Sequence, residues 1–199
     1  MRTNKQIAVM GLLVSLTACA GSPPRPYDAP PPYTIVGYAG RTPTEIAILP
    51  PAAVPNFPAA EGRALVEHVY SALVDKGYTP LSPDHTEGRL AELLPPGRPR
   101  ASRPAPLPAL AGALPADAYL EIDVLSVKMV PGVEPAVYRL DTQATLVGRD
   151  GGETLFQQRL PVTYEVSYEA DRTLPAATRD EVLRRHVARL LAGLPARRS

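Results

Sequence analysis

From position 45 onward the apolar residues change rhythm several times, and each rhythm predicts an element. Glu45-Ile46-Ala47-Ile48-Leu49 is a short apolar run halted by Pro50-Pro51. It predicts a buried strand that ends where proline removes the donors of a ladder. Between Glu61 and Lys76, the residues Leu65, Val66, Val69, Tyr70, Leu73 and Val74 recur at helical spacing, with an acid near the start and Lys76-Gly77 at the end. That pattern predicts a helix with one apolar stripe and ends suited to its dipole. Tyr78 to Leu81 fits a second short strand, and Ser82-Pro83-Asp84 supplies a cap and a first-turn proline for a helix ending before Pro95.

From Ala118 the period falls to two, the repeat of a strand with one buried face. Leu120, Ile122 and Val124 share a face, and then the apolar set slips to Leu125, Val127 and Met129. A one-residue slip flips a strand over, so a bulge is expected near Val124-Leu125. In Val137 to Val147, Leu140, Thr142, Ala144 and Leu146 alternate inward against Arg139, Asp141, Gln143 and Thr145. Asp150-Gly151-Gly152 then turns the chain. The returning run puts Phe156, Leu160, Val162, Tyr164, Val166 and Tyr168 on one face, with Gln158 as a polar intruder. Pro161 within it predicts an edge strand, or two pieces joined there. Thr178-Arg179-Asp180-Glu181 is a capping box before Val182, Leu183, Val187, Leu190, Leu191 and Leu194, a helix expected to dock on the sheet and stop at Gly193 to Pro195.

The order β-α-β-α-β-β-β-α describes an α+β fold, an α/β sandwich whose mixed sheet of about five strands carries helices packed on it. Proline, 25 of 199 residues, divides the chain. Ser22 to Pro32 holds six prolines in eleven residues, too few donors for helix or sheet, and predicts an extended tether over residues 19–44 that would reach about 70 Å. Pro95 to Pro115, with seven prolines and three arginines, reads as an irregular, solvated insertion at 95–115 of a single domain spanning 45–195, with 196–199 as a tail.

The start of the chain has a different pattern. Arg2 and Lys5 precede an apolar stretch from Ile7 to Leu16 and the small residues Thr17 and Ala18, the layout of a secretory signal peptide over 1–18. About ten apolar residues are half of what a permanent membrane helix needs. Leu16-Thr17-Ala18-Cys19 resembles the bacterial lipobox, in which diacylglycerol is attached to the cysteine sulfur before cleavage in front of it. Cys19, the sole cysteine of the chain, has no disulfide partner within it. Multiple acylation would fix it firmly to a membrane. Ala20 rather than aspartate follows, which by resemblance to lipoprotein sorting favours the periplasmic face of a Gram-negative outer membrane.

Without residues 1–18, the 21 basic residues fall to 19 against 20 acidic ones, so no positive excess invites nucleic acid. Candidate chemistry is sparse. His68, His85 and His186 fall in separate elements without metal-ligand spacing; the first and last read as boundary residues beside apolar stripes, and Asp84 beside His85 as a cap. Gly148-Arg149-Asp150-Gly151-Gly152 lies between two strands and lacks the lysine-serine ending of a phosphate loop. Asp117 is accounted for by a backbone hydrogen bond where a loop becomes a strand. Glu121 and Asp123, with Arg139 and Asp141 on the neighbouring strand, read as a charged solvated face. No catalytic residue, metal ligand or cofactor site is assigned, and the chain is expected not to be an enzyme.

Four stretches, "EIAILPP" (45–51), "LVDKGY" (73–78), "LPADAYLEIDV" (114–124) and "ATLVGRDGGETLFQQ" (144–158), together resemble the CsgG-like periplasmic lipoproteins. The likeness is to the neisserial surface-lipoprotein group related to the amino-terminal domain of TolB. The matching positions are Leu49, Pro50 and Pro51; Gly77 and Tyr78; Ala116, Asp117, Ala118, Leu120 and Ile122; and Gly152, Glu153, Leu155 and Phe156. The proline-arginine stretch 95–108 departs from that pattern. The resemblance implies an envelope assembly or secretion accessory with no known chemistry, and the function expected is a non-enzymatic, lipid-anchored periplasmic module that binds other envelope proteins. An auxiliary lipoprotein of a lipid-transport ABC system and a subunit of a CsgG-like secretion channel are the alternatives. Cys19→Ser is expected to abolish acylation and move the protein from the membrane to the soluble fraction, read by fractionation and by the mass of the mature amino terminus.

Overall fold

The computed structural model describes residues 29–93, 106–130, 136–150, 152–166 and 176–197. Cys19 and the lipobox residues Leu16, Thr17 and Ala18 lie outside them, as do Tyr168 and the first part of the insertion. The strands are β1 (Tyr33–Thr34), β2 (Glu45–Leu49), β3 (Thr79–Pro80), β4 (Ala118–Val130), β5 (Ala136–Gly148) and β6 (Thr154–Val166). The helices are α1 (Ala59–Asp75), α2 (Pro83–Leu93), α3 (Leu107–Ala113) and α4 (Ala176–Leu190). One sheet holds all six strands in the order β1-β6-β5-β4-β2-β3. β2 runs parallel to β3 and β4, whereas the remaining pairs are antiparallel. The fold is therefore the expected α+β sandwich.

Strand parity builds two cores from one sheet. Ile46, Ile48, Leu120 and Ile122 meet Leu65, Val69 and Leu73 of α1 and Val187, Leu190 and Leu191 of α4 on one side. Ala47, Leu49 and Tyr119 face the other side, where Leu90 of α2 and Leu110 of α3 cover them. The continuous apolar run of β2 thus has its cause: both of its faces are buried. The register of β4 against β5 shifts between Val124 and Ser126. The extra residue, Leu125, is pushed to the exterior, and Val127 regains the face of Val124 and stays buried.

Four features of the elements depart from the sequence reading, and Glu121, read as part of a charged solvated face, is buried as well. Residues 107–113, read as irregular, form α3, because Pro108 falls in its first turn and Leu110 has a core to enter. α4 begins at Ala176, so Thr178 lies inside the helix, and Glu181 is bonded to Arg184 and Arg185 instead of closing a capping box. Val74, counted in the apolar stripe of α1, is 48% exposed. The fourth departure changes the domain boundary, since residues assigned to a tether up to 44 are part of the fold from Ala29 onward.

That amino-terminal strap is fastened at several points. Gln158 Nε2 donates to the Pro30 carbonyl at 2.9 Å, so the polar residue in β6 fixes the proline-rich chain. Tyr33 and Thr34 pair with Gln157 and Phe156, and the Ile35 N–H donates to Leu155 at 3.0 Å. Pro32 packs on Gly193 so closely that a Cβ there would come within 2.5 Å of its ring. Because β1 covers only Phe156 and Gln157, β6 is an edge at Pro161, and a single continuous strand accommodates the proline. The carboxyl-terminal segment is also tied down. Lys76 Nζ donates to the Leu194 carbonyl at 2.7 Å, and the Arg197 N–H donates to the Lys76 carbonyl at 2.8 Å.

Gly193→Ala is expected to lift Pro32 and cost about 1–3 kcal/mol by overpacking. Urea denaturation and faster hydrogen exchange at the Ile35 amide report it; unchanged exchange at Ile35 would disprove the fastening.

Candidate functional site

A cleft of about 730 Å³ opens where the β2–α1 loop meets β4, β5 and the start of α4. Its rim is shaped by Val54-Pro55-Asn56-Phe57. The Phe57 N–H donates to the Val54 carbonyl, and Asn56 takes φ 64°, a left-handed conformation that asparagine tolerates at the third position of a tight turn. On the wall, Arg179 Nη1 donates to Glu61 Oε1 at 3.1 Å, and the Tyr138 hydroxyl donates to Glu61 Oε2 at 3.2 Å. Burial, followed by the adjacent Glu61 carboxylate, holds the Tyr138 phenol far above its ordinary range. Both oxygens of Glu61 are engaged, so the group ties α1, β5 and α4 together and offers no unpaired base.

The second polar cluster lies inside the core. Thr142 Oγ1 is 2.6 Å from His186 Nε2, and the Tyr164 hydroxyl is 2.9 Å from Nδ1. Expected at a boundary, His186 is instead fully buried, because α4 presents that face to β5 and β6. A neutral imidazole has one donor and one acceptor nitrogen, and each hydroxyl can fill either role, so both positions are satisfied without charge. Burial, and secondarily the positive Arg189, push its pKa down to about 3. Tyr164 is raised to about 12, again by burial. A neutral, water-excluded histidine between two hydroxyls sets the register of α4 on the sheet.

The other histidines are not brought together. His68 Nε2 lies 2.9 Å from Asp180 Oδ1, bridging α1 to α4, whereas His85 is exposed on α2, where Ser82 caps the helix by accepting the His85 N–H at 3.2 Å. No group of three or more metal-ligating side chains occurs among the described residues. Asp117 caps the neighbouring strand: its Oδ2 accepts from the N–H groups of Thr44 and Glu45 at 2.8 and 3.0 Å. Asp141 accepts two hydrogen bonds from Arg159. Gly148 to Gly152 connects β5 to β6, the Gly148 N–H donating to the Glu153 carbonyl and Gly152 taking φ 63°. No described helix is long and apolar enough to cross a membrane.

One relay escaped the sequence reading. Tyr78 donates its single hydroxyl proton to the Pro195 carbonyl at 2.6 Å, so Tyr38, 2.7 Å away, is the donor to Tyr78. The strap, the α1–β3 turn and the carboxyl-terminal segment are joined by two protons. Burial raises both phenols above the ordinary tyrosine value.

The pH dependence of stability follows from the buried histidine. Its folded pKa lies below the ordinary 6.5, so its contribution is complete above 6.5 and is lost as the pH falls toward 3. The expected slope is about 1.4 kcal/mol per pH unit. His186→Gln should remove that part of the acid limb while costing about 1–3 kcal/mol at neutral pH, both read from urea midpoints at stepped pH. An unchanged acid limb would show that His186 is not the group responsible.

Neither a protein-family model nor a curated protein matches the sequence. Solved structures do resemble the fold. The lipoprotein GNA1162 of Neisseria meningitidis superposes with a TM-score of 0.55 at 16% identity, over 75% of this chain and 99% of that one. A PelC dodecamer from Paraburkholderia phytofirmans gives 0.52 at 13% identity, over 85% and 96% of the two chains. At these identities the likeness establishes a shared fold, reached in one instance by a lipoprotein and in the other by a subunit of a twelve-membered assembly.

Proposed function

We propose that this chain is a lipid-anchored envelope protein, held by Cys19 to the periplasmic face of an outer membrane, that acts as a non-enzymatic interaction or assembly module. The observation carrying the reading is the pairing of Leu16-Thr17-Ala18-Cys19 with a fold shared by a neisserial lipoprotein, the group whose motifs the chain resembles. The two described polar clusters serve to hold elements together. Glu61 is clamped by Arg179 and Tyr138, and His186 is sealed from solvent. A CsgG-like and TolB-related ancestry belongs to the same proposal and rests on the sequence motifs.

A channel role is disfavoured by the use made of the long strands. β4, β5 and β6 form one sheet whose inner face is filled by α1 and α4, which leaves no spare hairpin for a barrel among the described residues. The 730 Å³ cleft is open and carries an ion pair in its wall, unlike the deep apolar cavity that an auxiliary lipid-transport protein would need. The dodecameric neighbour makes self-assembly one form that the module can take.

Extraction of the native protein in mild detergent after cross-linking, with masses of the products, tests the proposal. Complexes with other envelope proteins, or a ring of identical chains, are the expected outcome. A monomer free of protein partners would refute the assembly role, and co-purified lipid filling the cleft would favour transport.

A further inference from the structure

Four large apolar side chains are exposed among the described residues, Tyr33, Val36, Val74 and Leu125, and two of them lie within four positions of each other on the strap. Val36 is the extreme case at 94% exposure. It occupies the tip of a tight turn in which the Tyr38 N–H donates to the Ile35 carbonyl and Gly37 takes φ 77°. Turn tips ordinarily carry polar residues or glycine. This one carries a β-branched apolar residue, and both sides of the turn are fixed. Ile35 packs on the main core and bonds to Leu155. Tyr38 is buried with its hydroxyl on Tyr78. Val36 is therefore presented by a braced turn, and half-exposed Tyr33 lies three positions earlier, on β1.

The chain leaves the domain next to this patch. Ala29 is already packed on the core and Pro30 is bonded to Gln158, which places only residues 20–28 between Cys19 and the domain. Ten residue steps span at most about 35 Å when fully extended and about 31 Å at the polyproline rise that a proline-rich stretch favours. An anchor on Cys19 would hold the strap close to the bilayer, where a tyrosine and an aliphatic neighbour suit the headgroup boundary.

We propose that the strap is a membrane-docking edge: Val36 and Tyr33 enter the interfacial layer of the membrane that holds Cys19, so the domain lies with its β1–β6 edge against lipid. This assignment rests on the lipoprotein reading above, and the test separates the two. The chain has no tryptophan, so Val36→Trp in the lipidated, full-length protein creates a single emitter at a position where nothing packs. Leu125→Trp, at the β4 bulge two strands inward from β6, is the control. Both proteins are reconstituted in phosphatidylethanolamine–phosphatidylglycerol vesicles with and without brominated acyl chains.

The expected result is a blue shift for Val36→Trp and loss of its emission in brominated vesicles, with neither at Leu125→Trp. Val36→Asp combined with Tyr33→Trp should lose the quenching that Tyr33→Trp alone shows. Protein that floats with the vesicles while Val36→Trp emits as in water would overturn the docking edge and leave the anchor standing. Protein that fails to float would overturn the lipoprotein reading itself. A blue shift without quenching by brominated lipid would assign the patch to contact with protein, a second copy included, and refute a lipid occupant.

Discussion

The arrangement depends on α4 lying across β5 and β6. Its apolar stripe closes the main core, and the imidazole of His186, held between Thr142 and Tyr164, restricts where along the strands the helix can sit. Sliding the helix by a turn would leave three buried polar groups without partners, a penalty of several kcal/mol. The segment just after that helix provides the seat for the strap and for Tyr78. Gly193 receives Pro32, and the Pro195 carbonyl accepts the proton of Tyr78. The strap and the carboxyl-terminal segment therefore inherit their positions from one helix–sheet contact.

This dependence joins the first and last described segments to the domain's middle. Tyr38 reaches Tyr78 from the strap, and Arg197 reaches Lys76 from the other terminus. Gly77, at φ 84°, admits the Arg197 carbonyl at a distance that a side chain would crowd. A domain fastened at residues 29–38 and 194–197 in this way holds both segments in fixed positions on its body. The direction in which the chain enters the domain is then set by the fold. The polar residues on the described surface serve the same end: Arg63 with Asp84 and His68 with Asp180 bridge helices, and Asp117 caps a strand.

Much of this was legible in the residues. The strand bulge followed from the phase slip at Val124-Leu125, and the edge character of β6 from Pro161. The inward set of β5 followed from strict alternation, and Leu140, Thr142, Ala144 and Leu146 are all buried. What escaped has a common cause. α3 needed the knowledge that β2 and Tyr119 present a second apolar face requiring cover. The strap needed the knowledge that Gln158, conspicuous as a polar residue on an apolar face, has a carbonyl partner 128 positions away. His186 looked like a boundary residue because its two hydroxyl partners lie 44 and 22 positions away.

The sequence by itself determined the types of the elements apart from β1 and α3, the alternation of the long strands and the candidate anchor at Cys19, since periodicity, proline and the charged apolar start are local properties. Only the tertiary structure decided that the proline-rich segment ends as part of the sheet, that the sheet has two covered faces, and where the chain leaves the domain. Those outcomes turn on polar groups finding partners across long stretches of chain. A linear pattern shows that such a group needs a partner, and the packed fold alone shows which one it meets.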